Sequence, residues 1–215
     1  MSKAYTDTDF STQITEDRSW RLKEISDLKN AVVRADAKLQ RVLLRSLITV
    51  CYAHWEGYVR FAARKYLEHV ALRKLHFCDL DRQFLRNYFL PRLEALSTCK
   101  TSIAARCALV DEILNSSDRP FSRVNDSLVN TRSNLNFSVF TDICLICNVP
   151  TGDFAEKATF IDVFLLKRRN EIAHGEDTFL EIEDLDELTA ETVEVMRAFG
   201  DALENHVCLK KYRSA

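Results

Sequence analysis

The chain has 215 residues, 47% of them apolar and 29% charged, a balance that supports a folded core rather than disorder. Only 4 Gly and 3 Pro occur, too few for the tight turns of a sandwich, a barrel or most βαβ folds, or for a Gly-rich phosphate loop. The net charge of −2 hides a split: residues 1–170 carry 26 Lys and Arg against 20 Asp and Glu, whereas residues 171–204 carry 12 acidic residues against Arg197 alone. A polyanionic partner is permitted by the first part and not required by it.

In chain order, residues 1–15 are polar and predict a flexible N-terminus, with 16–215 forming one helical domain. Between 18 and about 34, Trp20, Leu22, Ile25, Leu28 and Val32 recur at helical spacing. Asp36 is placed to cap a longer helix reaching about residue 72. Its stripe runs through Leu44, Leu47, Ile48, Cys51, Trp55, Tyr58, Val59, Ala62, Tyr66 and Val70, as suits the central helix of a bundle. A third helix starts near Asp79 or Asp81 with Phe84, Leu85 and Tyr88 inward, and Pro91 kinks it or starts another. Residues 102–115 read as a short amphipathic helix. Residues 116–133, with Pro120 and many Ser, Asn and Asp, read as irregular. Asn136 can cap a short apolar helix that Pro150 and Gly152 close. Another helix runs from about 154 to 174, ended by Gly175, and a last one from 184 or 186 to 206. The expected fold class is all-α: a bundle of about six to seven helices.

The seven cysteines are odd in number and mostly set among apolar residues. The first nine residues are polar, and no apolar run approaches the ~20 residues of a membrane span. A reducing cytoplasm is the expected location, with no membrane contact and the thiols acting as small hydrophobes. Cys144 and Cys147 form a CxxC pair, but no second Cys or His pair follows at ligand spacing, and the flanking Phe140, Ile143, Leu145 and Ile146 are apolar. They read as packed thiols, and no metal or cofactor is expected. The carboxylates of 176–187 lack the Gly and spacing of a calcium loop and read as a solvated connection. His54, beside Trp55, reads as a buried or capped histidine.

The segment Lys167-Arg168-Arg169-Asn170-Glu171-Ile172-Ala173-His174-Gly175 admits two readings. In one, cations complement the helix dipole and Gly175 completes the C-cap. In the other, His174 is a proton shuttle, Arg169 neutralises a phosphorane and Asn170 orients a phosphate or 2′-hydroxyl, the groups that cut RNA without a metal. Spacing does not decide: positions 169 and 174 lie about 140° apart around an ideal helix.

Arg169-Asn170-x-x-x-His174 at a helix end resembles the R-x4–6-H signature of the HEPN superfamily. Tyr52-Ala-His-Trp-Glu-Gly-Tyr-Val59 and Ser133-Asn-Leu-Asn136 are similar to segments of its small stand-alone prokaryotic defence and toxin branch. The resemblance implies a homodimeric all-α bundle and a metal-independent endoribonuclease of a toxin–antitoxin or anti-phage system, acting on tRNA or mRNA, with an antitoxin or defence partner. It implies Arg169, Asn170 and His174 as catalytic residues and Glu56 as a support for Arg169 or His174; Lys167 and Arg168, the cations beside them, are expected to bind RNA. In branch members silenced by nucleotide transfer, a Tyr stands two residues after the His; here it is Glu176, so that control is not expected. The alternatives are a non-catalytic HEPN module that binds RNA or a nucleotide within a larger complex, and a helical dimerisation protein whose motif is only a cap.

Overall fold

The computed structural model describes residues 3–98, 102–176 and 181–214. Cys99 and residues 177–180 of the acidic stretch lie outside them. The structure is 74% helical, with no strand among the described residues. It contains α1 (Asp7–Arg34), α2 (Ala37–Leu72), a 3-10 turn (Phe77–Asp79), α3 (Arg82–Thr98), α4 (Ile103–Leu114) and α5 (Phe137–Ile146). A second 3-10 turn (Gly152–Lys157), a π segment (Phe160–Lys167), α6 (Arg168–Ala173) and α7 (Asp184–Cys208) follow. The all-α expectation holds.

The N-terminus departs from the expected flexible segment 1–15. Helix α1 begins at Asp7 because Thr6 and Asp9 form a reciprocal capping box: each backbone N–H donates to the other's side-chain oxygen, at 2.9 and 3.0 Å. Phe10 and Ile14 then extend the buried stripe that continues at Ile25 and Val32. Trp20, expected inside, is 49% exposed.

Helix α2 follows its sequence closely. Asp36 Oδ1 accepts from the amides of Lys38 and Leu39, and all ten stripe residues are buried. It packs chiefly between α1 and α7, with α6 and the π segment against its middle. Phe140 of α5 joins these layers, its ring 5.0 Å from Trp55, 5.1 Å from Phe154 and 5.4 Å from Phe199. In α3 the inward face is shifted from the expected one. Gln83, Phe84, Asn87 and Phe89 are buried, while Tyr88 is exposed. The shift is tied down by hydrogen bonds: Gln83 donates to Asn87, which donates to the Ile146 carbonyl at 2.7 Å. Pro91 sits inside α3 and starts no new helix. Helix α5 is capped by Asn136 as expected, but Asn148, with φ +57°, turns the chain out of it before Pro150 is reached.

The expected helix over 154–174 is a composite. A 3-10 turn leads through Ala158 and Thr159 into the π segment, which continues without interruption as α6. A π segment widens the turn to i→i+5 bonding and changes which side chains face the core. Phe160, Ile161 and Leu165 are buried here, and the turn that follows brings Arg169 against α2.

Candidate functional site

The C-terminal end of α6 forms the expected cap. The Gly175 N–H donates to the Ile172 carbonyl and the Glu176 N–H to the Glu171 carbonyl, at 3.1 and 2.9 Å. Gly175 has φ +77°, a left-handed conformation that favours glycine. His174 is the C-cap residue, and its side chain is exposed with no hydrogen bond or ion pair among the described residues.

Arg169 points the other way, against α2 and the segment before α5. Its guanidinium carbon lies 4.1 Å from the centre of the Tyr52 ring. Its Nη2 donates to the Ser133 carbonyl at 3.0 Å and, more loosely, to Asn134 Oδ1 at 3.4 Å. The receiving turn is locally strained and locally held. Arg132 and Ser133 both take positive φ, +53° and +58°, and the Asn134 N–H closes the turn on the Thr131 carbonyl at 3.0 Å. This is the primed turn geometry that ordinary side chains disfavour. Asn130 Oδ1 accepts from the Arg132 N–H at 2.8 Å and stabilises the turn's entry.

Helix α2 supplies the rest of the support. The Tyr52 hydroxyl accepts from the buried Leu135 N–H at 2.7 Å. Burial pushes this hydroxyl's pKa up, with Arg169 and the Leu135 amide opposing the rise. One turn on, Glu56 Oε1 accepts from the buried Thr131 hydroxyl at 2.5 Å. Asp162 of the π segment accepts from the Phe137 N–H at 2.6 Å, tying that segment to the start of α5. The three chain segments singled out by sequence therefore meet around the Arg169 guanidinium.

The candidate residues are not all brought together. Glu56 makes no ion pair with Arg169 or His174 among the described residues; it holds the turn that receives Arg169, one step removed. Asn170 is half-buried, with no side-chain hydrogen bond among the described residues. Arg168, expected to bind RNA, is turned to its own fold: its guanidinium stacks 4.7 Å from the Phe164 ring and faces Asp184 at 3.5 Å. Lys167 is exposed, 3.8 Å from Glu171. Arg169 and His174 project from different sides of the helix, as a five-residue spacing requires. Tyr52 and Thr131 carry support roles that sequence reasoning did not assign. The signal available was the helical spacing of Tyr52 and Glu56, together with the Asn- and Ser-rich run before Asn136.

Other candidate groups have structural roles. Burial raises the Cys144 thiol to about 12 and pushes the Cys147 thiol well up too, so both pack as protonated hydrophobes. His54 is buried against the Trp20 edge, 2.8 Å from Glu24. His69 Nδ1 donates to the Ala4 carbonyl at 3.0 Å, with Asp7 3.2 Å from Nε2. Among the described residues no three His, Cys, Asp or Glu side chains cluster closely enough to hold a metal ion, and no helix is long and apolar enough to cross a membrane.

Comparison with curated proteins and with solved structures gives no match. The family model described as RiboL-PSP-HEPN matches residues 16–205, a span that holds Tyr52, Glu56, the 131–136 turn and the Arg169–His174 motif. The resemblance seen in those three segments thus extends over most of the chain. With an all-α bundle that joins the same segments around one arginine, the chain belongs to the RiboL-PSP-HEPN family, a group of RNase or RNA-binding modules.

Proposed function

We propose that this protein is a metal-independent endoribonuclease of a prokaryotic toxin–antitoxin or anti-phage system, working in the cytoplasm as a homodimer on tRNA or mRNA, with an antitoxin or defence protein as its partner. The observation that carries the reading is the convergence of three distant segments on Arg169, with the side chains of Asn170 and His174 left without hydrogen-bond partners among the described residues. An arginine held by a carbonyl, an amide and an aromatic ring is preorganised. Such fixed charge stabilises a phosphorane better than a mobile side chain does.

In the proposed reaction neutral His174 takes the proton of the RNA 2′-hydroxyl. The 2′-oxygen forms a bond to the adjacent phosphorus, and the bond from phosphorus to the 5′-oxygen breaks. Water gives a proton to that leaving oxygen, and the hydroxide so formed takes the proton held by His174. The products are a 2′,3′-cyclic phosphate and a free 5′-hydroxyl. Arg169 neutralises the charge on the equatorial oxygens, and Asn170 orients the phosphate. A two-fold axis near α6 answers the divergence of Arg169 and His174 on one helix, because it sets one copy's Arg beside the other's His.

One observation favours a second reading. The Arg169 guanidinium already donates to the protein's own backbone, as a purely structural clamp does. In that case the protein binds RNA without cutting it. Incubating tRNA and mRNA with pure protein in EDTA, and mapping the product ends, separates the two. Cyclic or 3′-phosphate ends support cleavage; intact RNA that is nonetheless bound supports the module.

A further inference from the structure

A groove of about 930 Å³ lies between α1, the outer face of α2 and residues 122–126. Two of its walls come from the stretches of chain that also support the Arg169 cluster. Ala53 and Gly57, which line it, directly follow Tyr52 and Glu56, and residues 122–126 precede the 131–136 turn in the same irregular segment.

The lining is cationic after its internal pairs are removed. Arg21 is taken by Asp17 at 2.7 Å and Lys65 by Glu68 at 3.0 Å. Lys3, Arg60, Arg64 and Arg123 remain, against Asp126. Arg60 and Arg123 are exposed with no partner among the described residues, and Arg64 uses one nitrogen on the Asp126 carbonyl at 2.7 Å. Arg60 and Arg64 stand one helical turn apart, about 5–6 Å between their Cβ atoms, and so can follow successive phosphates of an extended strand. Two aromatic faces accompany them. Trp20 is half-exposed, with the Arg21 guanidinium over one side of its ring at 4.6 Å, and Phe61 is half-buried in the lining. Guanidinium groups along a track with aromatic surfaces between them are what a single-stranded nucleic acid requires of a protein. An acidic peptide satisfies the charges and leaves the aromatics unused.

We propose that this groove binds single-stranded RNA, holding phosphates that flank the bond presented to Arg169 and His174. The assignment rests on the nuclease reading for the identity of the strand, and its test is independent of cleavage. The probe is a fluorescent 2′-O-methyl RNA, which lacks the 2′-hydroxyl nucleophile and cannot be cut. Its anisotropy is titrated with wild-type protein and with the Arg60→Ala/Arg123→Ala double variant over a range of salt. Neither side chain has a partner among the described residues, so the variant should melt with the wild type. It should bind about tenfold or more weakly, and the slope of log K against log salt should fall by about 1.4, the loss of two single-strand phosphate contacts. A folded double variant that binds with wild-type affinity and slope overturns the proposal. So does a wild type that does not bind the probe, or that binds poly-glutamate equally well. Incubation of the unmodified strand with wild type is the separate arm. Failure to cleave while the double variant still loses binding ends the nuclease reading and leaves the groove assignment standing.

Discussion

Removing the hydroxyl of Tyr52 tests the link between α2 and the turn that receives Arg169. In the folded protein this oxygen accepts from the Leu135 N–H at 2.7 Å, and Leu135 is fully buried. Tyr52→Phe leaves that amide inside the protein with no acceptor. The penalty for a buried amide stripped of its partner is about 1–3 kcal/mol. Tyr52→Leu also takes away the ring beneath the Arg169 guanidinium, 4.1 Å away, which adds about 0.5–2 kcal/mol for a partly desolvated cation over an aromatic face. Urea unfolding measures both. The m-value should stay constant while the midpoint falls for Phe and falls further for Leu. Activity should follow a different order: Tyr52→Phe keeps the ring and much of the RNA cleavage, and Tyr52→Leu loses both. A Tyr52→Phe protein within about 0.5 kcal/mol of wild type, the range of an ordinary surface change, would refute the buried hydrogen bond as the link.

Other outcomes follow from the packing and the charges. Gly200→Ala should destabilise despite the better helix propensity of alanine, worth about 1 kcal/mol. The new Cβ would meet the Tyr58 hydroxyl and come within 2.8 Å of Arg18 Nη1, and overpacking of this kind costs about 1–3 kcal/mol; a raised melting temperature would contradict it. Burial pushes the pKa values of His54, His69 and His206 down. The folded state therefore prefers the neutral rings. Stability should be full above the unfolded histidine value near ~6.5 and fall as pH drops toward the depressed folded values. Melting temperatures that do not fall between neutral and mildly acidic pH, or ring titrations at or above the ordinary value, would count against that. Mixing Arg169→Ala and His174→Ala proteins, with subunit exchange confirmed, should recover part of the RNase activity, since each mixed dimer keeps one intact Arg and one intact His. A dead mixture of folded, exchanging chains would mean that the site lies within one chain or needs both copies of each residue.

The sequence carried what periodicity and capping can carry. Helix α2 was legible over its whole length because one apolar stripe and one N-cap agree, and α5 and the end of α6 were legible through Asn136 and Gly175. The start of α1 was not, because its capping box lies in a polar run and its first buried residues, Phe10 and Ile14, stand apart from the next apolar ones. The π segment breaks the 3.6-residue repeat that helical reasoning assumes. The motif residues were visible by type, but their directions depend on tertiary contacts. Phe164, four residues before Arg168, is a neighbour that helical spacing offers, but nothing local to Arg168 announces that Asp184 will engage it. Nothing local to Arg169 announces that a turn with two left-handed residues will receive it.

The most direct measurement is single-turnover cleavage of RNA by His174→Ala against wild type, in EDTA, with both proteins shown to be folded by the same unfolding curve. His174 is exposed and makes no side-chain hydrogen bond or ion pair among the described residues, so its loss should leave stability within about 1 kcal/mol. As the proton shuttle it should account for at least ~100-fold of the rate. A folded His174→Ala protein that cuts as fast as wild type would contradict the catalytic assignment.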